Sequence, residues 1–468
     1  MFQAWWSGVK EKFSYGLKGY DAADPQKKRR NSGTIVKSSD DLLGDQDRRS
    51  VTESQRDLWR NYSVAAWAIR RHLDYVSSFN FQPMTGNPDL DESLGRLMRW
   101  YSMPQNCDAA GRHSLSQLIR IAETRAVIDG DMFFLKLSDM TLQGIEGDRI
   151  RNQARSVEPV ENSSFKAIHG VEVDQYGRAR AYHLWGRNEH GQYIPEKRVP
   201  ARNMLHLGYF DSFDQIRGVS PLVSATTAFH DVLEVKEYAR LKAKVTQLFA
   251  LAIYRDSPDY DRGDLPEYQV DFGKGPVKLD LEPGDKADFL ESRHPSTEFQ
   301  AFITLSLQAA LKALDIPWSF YDEAYTNFFG SRAALIQYQQ SCRHKRDRLK
   351  HLLDQITYWV ISNWIVNGVL ELPSGMELSD ITWEWIPNGV PWWNPEQEIN
   401  GDILAIKAGL RTRTEIRRER YGDDWKGVIR RLAEEETFLK ENGLLMPETG
   451  SLEIPQENTG NEPISDSE

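Results

Sequence analysis

The stretch "RGVSPLVSATTAFHDVLEVKEYARLKAKVTQLFALAIY", Arg217 to Tyr254, decides how the rest of the chain is read. Ser220 stands as an N-cap before Pro221 at the first helical position. Behind them Leu222, Ala225, Phe229, Val232, Val235, Tyr238, Leu241, Val245 and Leu248 recur at steps of three and four, one apolar stripe along a helix. About 30 residues at about 1.5 Å each predict a helix of roughly 45 Å, long for a compact domain. Lys236, Arg240 and Lys244 form a basic row on the same helix.

Downstream, residues 255–295 are dense in Pro, Gly and Asp and read as an excursion between helices. The next helix, Thr297–Leu314, carries only Lys312 after Glu298, which predicts burial on most sides. Then comes "FYDEAYTNFFGSRAALIQYQQ", Phe320 to Gln340: an aromatic and acidic loop that turns into a third long helix, about Ser331 to Val366, with "RHKRDRLK" in its middle. Two projecting helices around an insertion leave an apolar stripe in need of neighbours, which points to a ring or bundle of subunits.

Upstream, residues 1–50 are polar, with four consecutive basic residues from Lys27 to Arg30; a solvated arm and a phosphate contact both fit. From about Val51 the pattern is helical, with Leu58, Tyr62, Ala65, Ile69, Leu73 and Val76 in phase. A second helix covers about Ser114–Val127 and runs through a turn into the strand of "DGDMFFLKLS". Residues 167–210 change to period two: "AIHGVEVDQYGRARAYHLW" is two alternating runs around a turn ending at Gly177, the pattern of antiparallel strands. Near the C-terminus, "ITWEWIP" reads as a strand, followed by helices broken at Gly409 and Gly422 and an acidic tail that composition predicts to be disordered. The fold class is therefore α+β.

The chain has 468 residues, enough for more than one core. Mean hydropathy is −0.59 and there is no apolar run long enough to span a bilayer. The N-terminal "MFQAWWSGVKEKF" lacks the apolar core of a secretory signal. Two cysteines, Cys107 and Cys342, cannot build a disulfide framework and suit a reducing compartment. A net charge of −11 argues against gripping nucleic acid by phosphate neutralisation, yet allows nucleic acid to slide past.

Catalytic motifs are sparse. There is no P-loop, nucleophile elbow or zincin motif. "DFG" at Asp271–Gly273 lacks a kinase's glycine-rich loop, and "HKRD" at His344–Asp347 follows it with an insertion. His344 and His351, seven residues apart on one helix, are too distant for one metal. Asp129 and Asp131 in "VIDGDMF" leave a metal site or a capped turn open. No cofactor is expected.

Five segments, in order over about residues 50–445, resemble the lambda-type family of tailed-bacteriophage portal proteins. "LWRNYSVAAWAIRR" is similar to the family's Arg-Asn-x-x-x-Ala helix, and "IHGVEVDQYGRARAYH" to its Gly-Val-Glu-x-Asp-x-x-Gly-Arg-x-x-Ala-Tyr-His hairpin. "QIRGVSPL" resembles its Arg-Gly-x-x-x-Leu segment, "LEPGDKADFLESRHPSTEFQAF" its Leu-x-Pro-Gly-Glu segment, and "ALDIPWSFYDEAYTNFFGSRAAL" its Gly-Ile-Pro-Tyr…Asn-Tyr-Ser-Ser-x-Arg-Ala stretch. Three places depart from the pattern. Asp315 stands where Gly is usual, Phe329, Gly330 and Ser331 replace Ser-Ser-x, and Asp131 replaces the Glu of Gly-Glu.

The resemblance implies a non-enzymatic head-to-tail connector: a ring of twelve subunits at one capsid vertex, around a channel for packaging and ejecting double-stranded DNA. It implies an N-terminal arm (1–50), a wing (51–218), a stem helix (219–252), a clip (253–295), a second stem helix (296–316), a tunnel loop (317–330), a long helix with the second part of the wing (331–394), a helical crown (395–446) and an acidic tail (447–468). Implied partners are the terminase large subunit, head–tail adaptor proteins, major capsid and scaffold proteins and passing DNA, with no membrane; the implied locations are the virion and, during assembly, the host cytoplasm. Clip docking would fall to Asp261, Arg262, Asp264, Glu267, Asp271 and Lys274.

The tunnel loop would carry Tyr321, Asp322, Glu323, Tyr325, Asn327, Phe328 and Phe329, giving bulk and repulsion without phosphate pairing. Arg332, Arg343, Lys345, Arg346 and Arg348, with Lys236, Arg240 and Lys244, are the candidates for DNA-backbone or intersubunit contact. A phage-associated metal-dependent nuclease or maturation protease is the alternative, and it would need Asp129 and Asp131 to hold a metal or a nucleophile pair elsewhere. A monomeric DNA-binding module is a third reading, opposed by the acidic balance.

Overall fold

A computed structural model describes residues 38–152, 166–248, 251–255, 285–289, 297–322, 328–389 and 395–443. The basic run at 27–30, the six clip candidates and the acidic tail lie outside them. The fold is mixed helix and sheet, as the sequence predicts. Helix α1 spans Asp45–Asn61 and α2 spans Ser63–Val76. One continuous helix was the expectation here. Instead the chain breaks at Tyr62, whose backbone is extended (φ −113°, ψ 104°) while its amide still bonds the Leu58 carbonyl. The break aims the two helices at different cores: Leu58, Tyr62 and Ala65 pack on one, Ile69, Leu73 and Val76 on another.

Strand β1 (Phe79–Pro83) and helix α3 (Pro88–Tyr101) follow. Then comes α4 (Leu115–Asp129), capped by Ser114 in a reciprocal box with Gln117. Strands β2 (Asp131–Lys136) and β3 (Leu142–Glu146) form a hairpin, joined on the other edge by β8 (Met204–Gly208), in the antiparallel order β3-β2-β8. Between them β4 (Lys166–Ile168), β5 (Val171–Val173), β6 (Ala179–Arg187) and β7 (Tyr193–Pro200) make a four-stranded antiparallel meander.

Strand β2 is buried on both faces. Period-two alternation sends Met132 and Phe134 to the main core with α2, α3 and α4, and Phe133 and Leu135 to a second core under the meander, against Tyr182, Leu184 and Val199.

After β8 the chain reaches Ser220, whose hydroxyl accepts from the Leu222 amide. Pro221–Ala225 form a 3-10 turn and α5 runs Thr226–Leu248. At about 35 Å it is shorter than expected. Leu251–Arg255 leave the helix as strand β9, paired antiparallel with β10 (Asp285–Phe289). Helix α6 (Thr297–Leu311) packs back along α5. Within one chain the expected burial is met at its base. Leu307, Ala310 and Leu311 are buried at its base, but Leu305, farther out, is 66% exposed. Among the described residues the base of the pair is packed against the body: Phe229 and Val232 of α5 join Leu58, Tyr62 and Ala65 there.

Helix α7 (Phe328–Val366) is about 58 Å long. It threads Tyr338, Cys342, Leu349, Leu353, Ile356, Val360 and Trp364 through the main core. Strand β11 (Trp383–Pro387) pairs with β1, joining chain positions about 300 residues apart. Helices α8 (Pro395–Lys407), α9 (Arg413–Tyr421) and α10 (Trp425–Glu441) complete the chain. The helix breaks expected at Gly409 and Gly422 are present, each glycine at φ 67°. No helix among the described residues is long and apolar enough to cross a membrane.

Candidate functional site

Three ionic clusters hold the projecting helix pair and the long helix to the body. The first lies where α5 leaves the sheet. Arg217 is fully buried and every one of its donors is used: Nε to Asp131 Oδ2 (2.5 Å), Nη2 to Asp131 Oδ1 (2.9 Å) and to the Gly147 carbonyl (2.8 Å), and Nη1 to the carbonyls of Ile150 (3.0 Å) and His169 (2.7 Å). Asp131 also accepts from the Gly218 amide (3.0 Å) and from His206 (3.2 Å).

Burial pushes the Asp131 carboxyl up, but the Arg217 charge and these hydrogen bonds outweigh it and hold it far below the usual carboxylate range. The cluster needs two glycines back to back. A Cβ on Gly130 (φ 95°) would sit 2.6 Å from the Gly218 carbonyl oxygen. The Ser220 hydroxyl then donates to the Val127 carbonyl (2.6 Å), tying the start of the projecting segment to α4.

The second cluster fixes α7. Arg348 Nη2 donates to both oxygens of the fully buried Glu123 (2.7 Å each), and its guanidinium stacks 3.5 Å over the Tyr209 ring. His72 (2.8 Å) and the Tyr209 hydroxyl (2.7 Å) complete the shell around Glu123. Burial holds His72 below its ordinary range, so it is neutral here.

The third contains the one metal-like grouping found among the described residues. Asp129, Glu146 and Asp148 bring one carboxylate oxygen each within 4.8 Å of one another. Arg56 Nη2 bonds all three, at 2.7, 3.0 and 2.9 Å. A guanidinium therefore sits among these three carboxylates, while Asp131 belongs to the Arg217 cluster; both acids of the turn are held in ion pairs, which neither the metal nor the capped-turn reading had named. Both cysteines are buried, which pushes the Cys107 thiol up to about 12 and raises Cys342 as well. Neither is prepared for nucleophilic chemistry.

The structure separates the candidates that sequence grouped together. Within one chain Arg348 serves the Glu123 cluster, and Arg346 donates to the Tyr75 carbonyl (2.8 Å) while lining the same cleft as Arg343. Lys345 reaches the Leu314 carbonyl (2.8 Å) and Asp315 (2.9 Å). Arg332 pairs with the buried Glu398 of α8, which also holds Arg420 (3.0 Å).

Arg343 remains exposed on the wall of a cleft of about 810 Å³ between α7, β11 and α9. Lys236 and Arg240 are exposed on α5; the Lys244 side chain lies outside the described residues. Tyr321 packs against Trp67 and Trp318 (ring centroids 5.6 and 4.9 Å). Asp322 is half-buried and Phe329, one residue into α7, is 81% exposed. Glu323, Tyr325, Asn327 and the Phe328 side chain lie outside the described residues.

Asp315, the departure from Gly, adopts the left-handed backbone that glycine favours (φ 61°, ψ 19°). It is held there by Ser341 (2.5 Å) and Lys345. Arg56, His72, Glu123 and Arg217 were not singled out as site residues. Only Arg217 carried a signal, as the Arg of the Arg-Gly segment.

These features define a structural protein that is braced by internal ion pairs and presents an uncovered helix pair. A sequence profile of the phage portal protein, lambda family, matches residues 27–346, and the chain belongs to that family. It is 24% identical over 429 residues to a probable portal protein of Halomonas phage phiHAP-1, spanning 80% of this chain and 77% of that one. Among solved structures it is similar to a chain from the virion of a native gene transfer agent particle (15% identity, 80% and 93% coverage, TM-score 0.47). It is equally similar to one from the neck of the empty particle (15%, 80% and 93%, TM-score 0.48). Portal proteins are structural components, not enzymes, and this chain is one of them.

Proposed function

We propose that the chain is one subunit of a portal ring of twelve at a single capsid vertex, through which double-stranded DNA is packaged and later ejected. The observation that carries the reading is the uncovered outer part of the helix pair. Tyr238 is 62% and Leu241 57% exposed on α5, and Phe302 and Leu305 are exposed on α6. A row of large apolar side chains on two neighbouring helices needs a cover, and neighbouring copies related by a closed rotation supply the same cover to every subunit.

In this reading α5 and α6 are the stem, residues 253–295 between them the clip, the three- and four-stranded sheets with α1–α4 and the pair of β1 with β11 the wing, α8–α10 the crown and the segment before α7 the tunnel loop. The clip would dock the terminase large subunit and then head–tail adaptors; the wing would meet capsid and scaffold proteins. The chain would assemble in the host cytoplasm and reside in the virion. With −11 on each copy the ring would repel DNA rather than hold it. Negative-stain microscopy with native mass measurement tests this: closed rings of about twelve subunits are expected, and a monomer or dimer under every assembly condition overturns it.

A further inference from the structure

The ion-pair cluster around Arg217 borders a cavity of about 230 Å³ that no part of the ring reading uses. It lies between α1, the Gly147–Asn152 segment and the edge of the meander, and its wall includes Arg48, Arg49, Arg56, Arg151, Arg187 and Arg217. Three of these already face carboxylates: Arg56 its three, Arg217 Asp131, and Arg187 Asp148 (3.4 Å).

Arg48 is different. Its Nη1 donates to the Gly218 carbonyl (2.9 Å), but its Nε and Nη2 are shut off from solvent and have no partner. Burial and the like charge of Arg217 bring it down to about 10. Arg151 lies flat on the Tyr193 ring (3.6 Å to its centroid) and donates through Nε to the Asp148 carbonyl (2.6 Å). Arg49 is close enough to lower it by like charge.

Four carboxylates line the cavity; Glu53 is exposed at its edge and the other three have commitments of their own. Asp45 is taken by His169 (2.7 Å) and Asn152 (3.2 Å), and Asp129 and Asp148 by Arg56. A buried guanidinium with two idle donors costs free energy unless an acceptor meets them. Both arginines stand on the wall of a space smaller than ordinary organic-ligand pockets.

We infer that this cavity binds a small oxyanion of the phosphate class, held by Arg48 and Arg151 with Arg49 at the rim. The geometry suits planar, forked recognition of phosphate oxygens. Bound there, the anion would neutralise the Arg48–Arg217 repulsion and brace α1 against the Gly218 carbonyl, at the root of the projecting helices. The anion could arrive as a free ion or as a phosphodiester of passing DNA.

The full-length protein should be titrated calorimetrically with inorganic phosphate at fixed ionic strength, on rings and on single subunits alike, so that failure of the site and failure of the ring are read separately. Saturable binding is expected, weakened at least tenfold by Arg48→Gln and by Arg151→Gln, with potassium chloride giving no saturable heat. Absence of saturation, or equal affinity in Arg151→Gln, overturns the site. Arg151→Gln serves also should Arg48→Gln fail to fold. A duplex lacking terminal phosphates that competes with phosphate identifies DNA as the source; one that does not compete identifies the free ion.

Discussion

Asp131 and Arg217 stand 86 residues apart in sequence and meet as a two-pronged, fully buried ion pair at the point where the projecting helices leave the sheet. The pair joins the strand after α4 to the segment before α5, so the orientation of the helix pair depends on it. Asp131→Asn leaves the Arg217 charge buried without its counter-ion, and about 3–5 kcal/mol of stability should be lost. Asp131→Glu restores the family's usual acid but adds a methylene where the Gly147 backbone is already close, and should cost about 1–3 kcal/mol. Denaturant unfolding of both variants beside the parent checks the order. A neutral Asp131→Asn would show that Arg217 is held by its carbonyl partners alone.

Three histidines shape the acid side of stability. Burial keeps His72, His183 and His206 below their ordinary range in the fold. Between the unfolded value near 6.5 and the lower folded value, the unfolded chain binds more protons, so stability falls as pH drops through that window. The slope reaches at most about 1.4 kcal/mol per pH unit for each group. Asp131 acts later: its contribution is complete above about pH 4 and is lost as pH falls toward its depressed folded value. Unfolding midpoints should drop between pH 7 and pH 5, and His72→Gln should flatten that drop. An unchanged slope in the variant counts against a neutral His72.

Asp315 gives a third test. Its left-handed backbone disfavours most side chains by about 1–2 kcal/mol, while its carboxylate ties Ser341 and Lys345 of α7 to the end of α6. Asp315→Gly relieves the backbone and loses the ties, so the net change should stay within about 1 kcal/mol. Asp315→Leu loses the ties and keeps the strain, and should be the worse variant. If the two lose equally, the backbone conformation contributes nothing.

Much of this was legible in the sequence because local rules govern it. Ser220 with Pro221, and Gly177, Gly409 and Gly422, mark element ends through a cap and left-handed turns, and each does so in the fold. The break at Tyr62 was not legible, because the apolar phase from Leu58 to Val76 runs on unbroken while two separate cores divide it. Nor was the inward turn of Arg346 and Arg348: a basic run on a helix reads as a solvated face until the buried Glu123, more than 200 residues earlier, is placed beside it. Strand β1 hid for a similar reason, since its partner β11 lies about 300 residues away.

The uncovered helix pair predicts a separation between folding and assembly. Leu305 makes little contact within its own chain, so Leu305→Asp should leave far-UV circular dichroism and the unfolding midpoint of the single subunit within about 0.5 kcal/mol of the parent. Across a subunit interface the same charge would be desolvated without a partner, costing several kcal/mol at each of the repeated contacts. Sedimentation should show the variant as a folded single chain at concentrations where the parent is closed. Normal rings in the variant would move the subunit interface away from α6.

The segment before α7 predicts the opposite separation, between assembly and DNA handling. Phe329 is exposed at the start of α7, and the aromatic cluster of Trp67, Trp318 and Tyr321 seats the chain just before it. Substituting Phe328 and Phe329 with Ala removes aromatic bulk at the exposed start of α7 and leaves Arg332 paired to Glu398. Rings of the double variant should therefore form normally. If the loop checks DNA by bulk and repulsion, packaged DNA should leak from or fail to fill particles built with the variant, measured as nuclease-protected DNA per particle. Rings with packaging and retention both at the parent's level would remove the loop from the channel. Broken rings would place the two aromatic residues at the subunit interface instead.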